Sequence, residues 1–278
     1  MSNVMTKVIA FSATKGGVGK TTLAFNFGAY LAKTSNKVLL IDLDHQASMS
    51  SNFSLNDEEL EKTDIGKVFK SVAKDPSSKL PTVEPVEVTD NLFGLSISQS
   101  TDNIDSLMRD LPYACTTVYR LLKDNQLLDR FDYIVCDTHP DLLLATQNAL
   151  TMANVVFSPV EPSRYGLDSV ISMQKDYEKL SNRILSPDGS RLIDGKLSFI
   201  ANKVKFNTTI SHLFMDSIKD DERFVSLFHE RELFNQATLD KKSVFDLNNP
   251  KVEKIITNEI SPQFELMKKY VISGRVDK

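Results

Sequence analysis

Lys15-Gly16-Gly17-Val18-Gly19-Lys20-Thr21-Thr22 stands between the apolar run Val8-Ile9-Ala10-Phe11 and the helical pattern Leu23-Ala24-Phe25-Asn26-Phe27-Gly28-Ala29-Tyr30-Leu31-Ala32. Strand, glycine-rich loop and helix in this order make a phosphate-binding unit. The glycines let backbone N–H groups turn inward around a polyphosphate, and the helix behind them directs the positive end of its dipole at the same point. Lys20 reaches terminal phosphates, and Thr21 offers a hydroxyl to Mg²⁺. A nucleoside triphosphate is the ligand implied, with Gly16, Gly17, Val18, Gly19, Lys20, Thr21 and Thr22 around its phosphates.

Two further segments carry acidic groups. Lys37-Val38-Leu39-Leu40-Ile41 is unbroken in apolar character, as a buried parallel strand is, and it runs into Asp42-Leu43-Asp44-His45-Gln46. Phe131-Asp132-Tyr133-Ile134-Val135-Cys136-Asp137 is a second strand closing on an aspartate. Open α/β sheets bind ligands at the carboxyl ends of their strands, where these acids stand. Mg²⁺ takes oxygen ligands and keeps several waters, which suits Thr21 with Asp137 acting through water. Asp44 is placed to orient or deprotonate an attacking water, since phosphoryl transfer depends on positioning and charge stabilisation. Taken singly, each aspartate also suits a helix N-cap after a strand.

The loop departs from the ordinary pattern G-x-x-x-x-G-K-[ST], because Thr14 occupies the first glycine position and a second lysine, Lys15, follows it. The octet resembles the deviant Walker A motif of the ParA/MinD family of ATPases. Asp42-Leu43-Asp44-His45-Gln46 is similar to that family's D-x-D-x-Q switch region, with His45 where proline is usual. The segment ending in Asp137 resembles its Walker B element, with Thr138-His139-Pro140 in place of Thr-Pro-Pro. The resemblance implies ATP and Mg²⁺ as ligands and slow hydrolysis. It also implies an ATP-bound homodimer in which Lys15 crosses to the facing subunit's triphosphate, so that Lys15, Lys20 and Asp44 form the catalytic set. Asn202, at the end of Leu197-Ser198-Phe199-Ile200-Ala201, falls where the family places an adenine reader. An amide donates to and accepts from a purine edge together, although asparagine also caps loops after strands.

The chain has 278 residues and no Pro/Gly/Ser-rich linker, and its strands and helices alternate. We expect one ParA-like domain spanning 1–278, of the α/β class: a doubly wound, mostly parallel sheet with helices on both faces. Further elements are expected as a helix-prone stretch from Asp57 to Ala73, a loop from Lys74 to Pro81 and a strand from Leu92 to Ser98. Helices follow over Ile104–Leu122 and Leu142–Met152, then a strand over Val155–Val160, a helix over Gly166–Asn182, and C-terminal helices. With the loop beginning at residue 15, no N-terminal helix-turn-helix domain is expected. Cys115 and Cys136 are too few and too poorly spaced for a zinc site or a disulfide framework. No secretory leader and no apolar stretch near the ~18 residues of a membrane span is visible, so a cytoplasmic, nucleoid-associated protein is expected.

Within the family, the resemblance to ParA-type partition ATPases implies plasmid or chromosome segregation, nonspecific DNA binding in the ATP state, and stimulation by a ParB-type partner. The net charge of −4 supplies no global pull toward DNA. From Lys241 to Lys278, eight basic residues stand against five acids, a local excess of +3 that also fits a mixed solvated surface. Arg231, Lys241 and Lys242 are the candidate DNA contacts, although Glu230-Arg231-Glu232 sets acids beside the arginine. MinD-like membrane switching is the alternative, and it requires a basic amphipathic C-terminal helix. Phe264, Met267, Tyr270 and Val271 do share one helical face, but only Lys268 and Lys269 flank it, and the face reads as core packing with no membrane partner. A nitrogenase-like reductase would need suitably placed cluster cysteines, which Cys115 and Cys136 are not.

Overall fold

The computed structural model describes residues 5–97, 104–163 and 165–275. Met1 to Val4, Ser98 and Lys278, used in the sequence reading, lie outside them. The first half runs β1 (Lys7–Phe11), α1 (Lys20–Lys33), β2 (Val38–Leu43), α2 (Asp57–Thr63), α3 (Gly66–Lys74), β3 (Val86–Thr89), β4 (Leu92–Leu95), α4 (Ile104–Met108) and α5 (Thr117–Asp124). The second half runs β5 (Tyr133–Thr138), α6 (Leu144–Met152), β6 (Val155–Val160), α7 (Gly166–Arg183), β7 (Lys196–Val204), α8 (Thr209–Ile218), β8 (Phe224–His229), α9 (Glu232–Leu239), α10 (Pro250–Ile255) and α11 (Ser261–Ser273). The strands form one eight-stranded sheet in the order β3-β4-β2-β5-β1-β6-β7-β8, parallel except for the β3–β4 pair.

Side chains alternate across each strand, so every buried strand feeds two cores. Val8 and Ala10 of β1, with Leu39, Ile41 and Leu43 of β2, join the face covered by α3 to α7. Ile9 and Phe11, with Val38 and Leu40, join the opposite face under α1 and α11. Aromatic rings organise that second face: Phe27 of α1 stacks on Phe264 of α11 at 5.8 Å between centroids, and Phe11 and Phe157 meet at 5.7 Å. Phe264, Met267, Tyr270 and Val271 are all buried there, so the apolar stripe of the last helix is core. Gly28 of α1 allows the close approach to the sheet, because a Cβ there would lie 2.5 Å from Leu40 Cδ2.

Three local expectations are corrected. The helix expected over Ile104–Leu122 is two helices separated by a turn, because Pro112 cannot donate a helical hydrogen bond and Tyr113 sits at φ 59°. Strands β3 and β8 were not anticipated; β3 is a short edge strand whose residues alternate between half-buried and exposed. Strand β7 does not stop at Ala201 but continues to Val204, with its register to β8 shifting between Ala201 and Val204 and Lys203 in the left-handed region at φ 55°. That irregular end faces the phosphate loop.

Candidate active site

The sheet order puts β1 between β5 and β6, and β5 between β1 and β2, so three chemically loaded strand ends lie side by side. The register is explicit. Asp137 lies opposite Asp42 on β2 and opposite Phe11 on β1. Thr138 donates from Oγ1 to the Phe11 carbonyl at 2.9 Å, tying the β5 end to the start of the loop.

The loop itself requires glycine twice. Gly17 and Gly19 have φ of 77° and 90°, in the left-handed region. At Gly19 a Cβ would also collide with Asn202 Nδ2 at 2.4 Å. Gly19 caps α1 without any side-chain acceptor, so the first N–H groups of the helix are directed at the loop's interior. The loop is braced from the end of β7: Asn202 Nδ2 donates to the Val18 carbonyl at 2.7 Å, and Lys203 Nζ donates to the Gly17 carbonyl at 2.6 Å.

Lys20, first residue of α1, is 6% exposed. Burial lowers its pKa, and the charges of Asp137, Asp44 and Asp141 oppose that shift. Asp137 is fully buried, and neither carboxylate oxygen accepts a hydrogen bond. Burial pushes its pKa well up and Asp42 adds to the rise; the Thr21 hydroxyl and Lys20 counter it. An orphaned carboxylate beside a threonine hydroxyl and a lysine is the donor set of a magnesium–phosphate site, with hard oxygen ligands and room for water.

Asp42 has no role that the motif itself announces. It is the hub of the switch segment: Ser50 N and Ser50 Oγ both donate to Asp42 Oδ2 at 2.7 Å, and Asp44 N donates to Oδ1 at 3.1 Å. Burial pushes its pKa up to about 6, against the pull of those donors. Asp44 accepts from Gln46 N at 2.9 Å through Oδ1, which orients the carboxylate at the strand end. The D-x-D spacing was the available signal, since residues two apart in a strand share a face.

Lys15 lies apart from this buried set, 44% exposed at its side chain and paired with Glu161 at 2.5 Å, just past the end of β6. His45 and His139 stack at 4.3 Å between centroids, and His139 Nδ1 lies 2.8 Å from Asp141 Oδ2.

A cavity of about 480 Å³ opens beside the loop, lined among others by Gly19, Thr21, Thr22, Asn202, Arg231 and Lys242. Its size falls in the range of small-ligand sites, about 300–1,000 Å³. Of the three basic residues singled out from sequence, Arg231 and Lys242 line this cavity and Lys241 does not. Arg231 is also bound to Glu259 at 2.5 Å and lies 4.6 Å from the centre of the Phe206 ring. The wall opposite the loop thus contains residues that no motif announced, Phe234 and His229 among them.

A family model described as an AAA domain matches residues 6–187, well over half of the chain. The chain is 30% identical over 167 residues to the sporulation initiation inhibitor protein Soj of Bacillus subtilis strain 168, covering 60% of this chain and 62% of that protein. It is 31% identical over 172 residues to the chromosome-partitioning ATPase Soj of Thermus thermophilus, covering 62% and 61%. The chain belongs to the ParA/MinD family. A putative plasmid partition protein from Borrelia burgdorferi B31, solved with AMPPNP bound, matches at 25% identity with a TM-score of 0.71, over 95% of this chain and 99% of that one. The family expected from the sequence is thereby borne out, as is the fold class. The chain matches only about three fifths of the length of these curated Soj proteins. No helix among the described residues is long and apolar enough to cross a membrane.

Proposed function

We propose that this chain is a Mg²⁺-dependent ATPase of DNA partition that acts as an ATP-bound dimer, with residues 1–278 working as one ParA-like domain. The convergence of Lys20, Asp44 and the orphaned Asp137 carboxylate on one glycine-rich loop carries the reading. Triphosphate oxygens take the loop N–H groups and the Lys20 ammonium, whose burial makes each charge-assisted hydrogen bond stronger than it would be in water. Thr21 and Asp137 would hold Mg²⁺, which supplies charge neutralisation at the phosphates. Asp44 orients the water, its carboxylate already set by Gln46 N and by the Asp42–Ser50 hub. Asn202 reaches the base while bracing the loop.

Lys15 supplies the coupling between nucleotide and dimer. Its partner in the monomer is the half-exposed Glu161, and such pairs are worth only about 0–1 kcal/mol. Exchange to a facing γ-phosphate is therefore inexpensive, and ADP offers no such group, so dimerisation follows the nucleotide state. The partition role follows that of the chromosome-partitioning ATPase Soj of Thermus thermophilus and the putative plasmid partition protein of Borrelia burgdorferi. With it come a ParB-type partner, nonspecific DNA as the ligand of the dimer, and a cytoplasmic, nucleoid-associated location. Lys241 and Lys242 are the proposed DNA contacts, with Arg231 nearer the nucleotide.

The test is parallel retention of the chain, with a nonhydrolysable ATP analogue, on nonspecific duplex DNA and on anionic vesicles. Retention on DNA that falls steeply with salt is expected. Retention on vesicles alone would replace partition by membrane switching, for which the buried α11 face offers no support.

A further inference from the structure

His45 and His139 both stand where the family usually has proline, on two segments far apart in sequence, and the fold brings them into ring contact at 4.3 Å beside Asp44. Four histidines occur in the whole chain, and two of them meet here. One ligand atom from each of Asp44, His45 and His139 lies within 4.8 Å of the other two. A four-coordinate zinc with bonds of about 2.0–2.1 Å holds its ligand atoms roughly 3.3 Å apart, so modest side-chain rotation closes the set.

The surroundings are already arranged as a metal site's would be. His139 Nδ1 faces Asp141 Oδ2 at 2.8 Å, so the ring donates there and keeps the Nε2 lone pair for an ion. Asp141 is itself fixed, accepting from Leu143 N at 2.9 Å and from Thr146 Oγ1 at 3.2 Å through Oδ1. Asp44 spends Oδ1 on Gln46 N, which leaves Oδ2.

We infer that Asp44, His45 and His139 form a second cation site that takes a borderline divalent transition-metal ion of the zinc or cobalt class. Two imidazoles and one carboxylate match that class, whereas Mg²⁺ prefers an all-oxygen shell. The site shares none of its three ligands with the Thr21–Asp137 pair, and a four-coordinate ion there keeps one position for water. Its occupancy engages the carboxylate proposed to orient the hydrolytic water, so the ion holds the protein in its ATP-bound state. That consequence rests on the function proposed above; the binding does not.

The test uses the full chain, nucleotide-free and in excess Mg²⁺, titrated with Co²⁺ by visible absorption and with Zn²⁺ against a chromophoric chelator. One ion per chain is expected. His45→Asn and His139→Asn should each weaken it by more than about a hundredfold, and Asp141→Asn, a positioning residue acting through the His139 ring, by about ten- to hundredfold. In the unmutated chain, Zn²⁺ should shield His45 and His139, but not His212, from acylation by diethyl pyrocarbonate, as mapped by mass spectrometry. Binding no tighter than in the His45→Asn/His139→Asn double variant, or equal labelling of all histidines with and without Zn²⁺, overturns the site. Metal binding that His45→Asn abolishes, with single-turnover ATP hydrolysis indifferent to Zn²⁺ in the parent, upholds the site and removes Asp44 from the hydrolytic step.

Discussion

The two walls of the cavity are built by different physics. Behind the loop wall, at the ends of β1, β2 and β5, the charges are buried: Lys20, Asp42, Asp44 and Asp137 are each under a tenth exposed, and strand register sets Asp42 opposite Asp137. The opposite wall, from the end of β7 through β8 to α9, keeps its charges half in solvent. Arg231 is 29% exposed and Glu259 38%, and stacking of Phe206 on His229 at 3.9 Å fills in around them. Buried charge is costly to leave unpaired, by several kcal/mol, while exposed pairs contribute little. The loop wall is therefore committed to one ligand chemistry, and the opposite wall is free to vary.

Substitutions should separate the two walls by size of effect. The largest is expected for Lys20→Ala, which removes the buried cation facing both the phosphates and Asp137. ATP affinity should fall by about a thousandfold in calorimetric titration, as for truncation of a buried charge partner. Unchanged affinity would mean that the loop wall does not hold the triphosphate.

Asp44→Ala comes next. Single-turnover hydrolysis should drop by about a hundredfold or more, the usual worth of a positioned proton acceptor, while ATP affinity stays within about threefold. A parental rate would confine the wall's role to binding.

Lys15→Gln sharpens the comparison from the boundary of the loop wall, because this lysine is exposed although it belongs to the octet. Light scattering with a nonhydrolysable analogue should show dimerisation weakened by about ten- to hundredfold, the worth of a charged hydrogen bond, with monomer ATP affinity intact. Dimerisation at the parental level would return Lys15 to its own loop.

The smallest effects belong to the opposite wall. Arg231→Ala should change thermal stability by no more than about 1 kcal/mol and ATP affinity by less than about tenfold. Charge reversal at Lys241, which lies outside the cavity, should leave nucleotide affinity unchanged and flatten the dependence of log DNA affinity on log salt by about one. A loss at Arg231 as large as that at Lys20 would erase the distinction between the walls.

The difference between the walls also explains what could be read in advance. The loop octet, Asp44 and Asp137 each end an apolar run, so local pattern located the strand and the strand located the acid. Arg231 and Lys242 share a wall with Asn202 only through the β7–β8 pairing and the packing of α9, contacts between residues tens of positions apart. The helix expected over Ile104–Leu122 failed for a local reason, the proline at 112, whereas β8, although Phe224, Val225 and Phe228 are buried, is a short apolar run that periodicity alone does not distinguish from a buried helix segment.

By itself, the sequence determined the α/β class, the phosphate loop and the identity of its two lysines, and the aspartates that end β2 and β5. Those features depend on backbone conformation and on hydrophobic periodicity, both of which are local. Only the tertiary structure decided that Asp42 faces Asp137 and organises Ser50, that Glu161 holds Lys15, and that His45 meets His139. Each of those follows from strand order and register, and order and register are set by the burial of the two faces of the whole sheet.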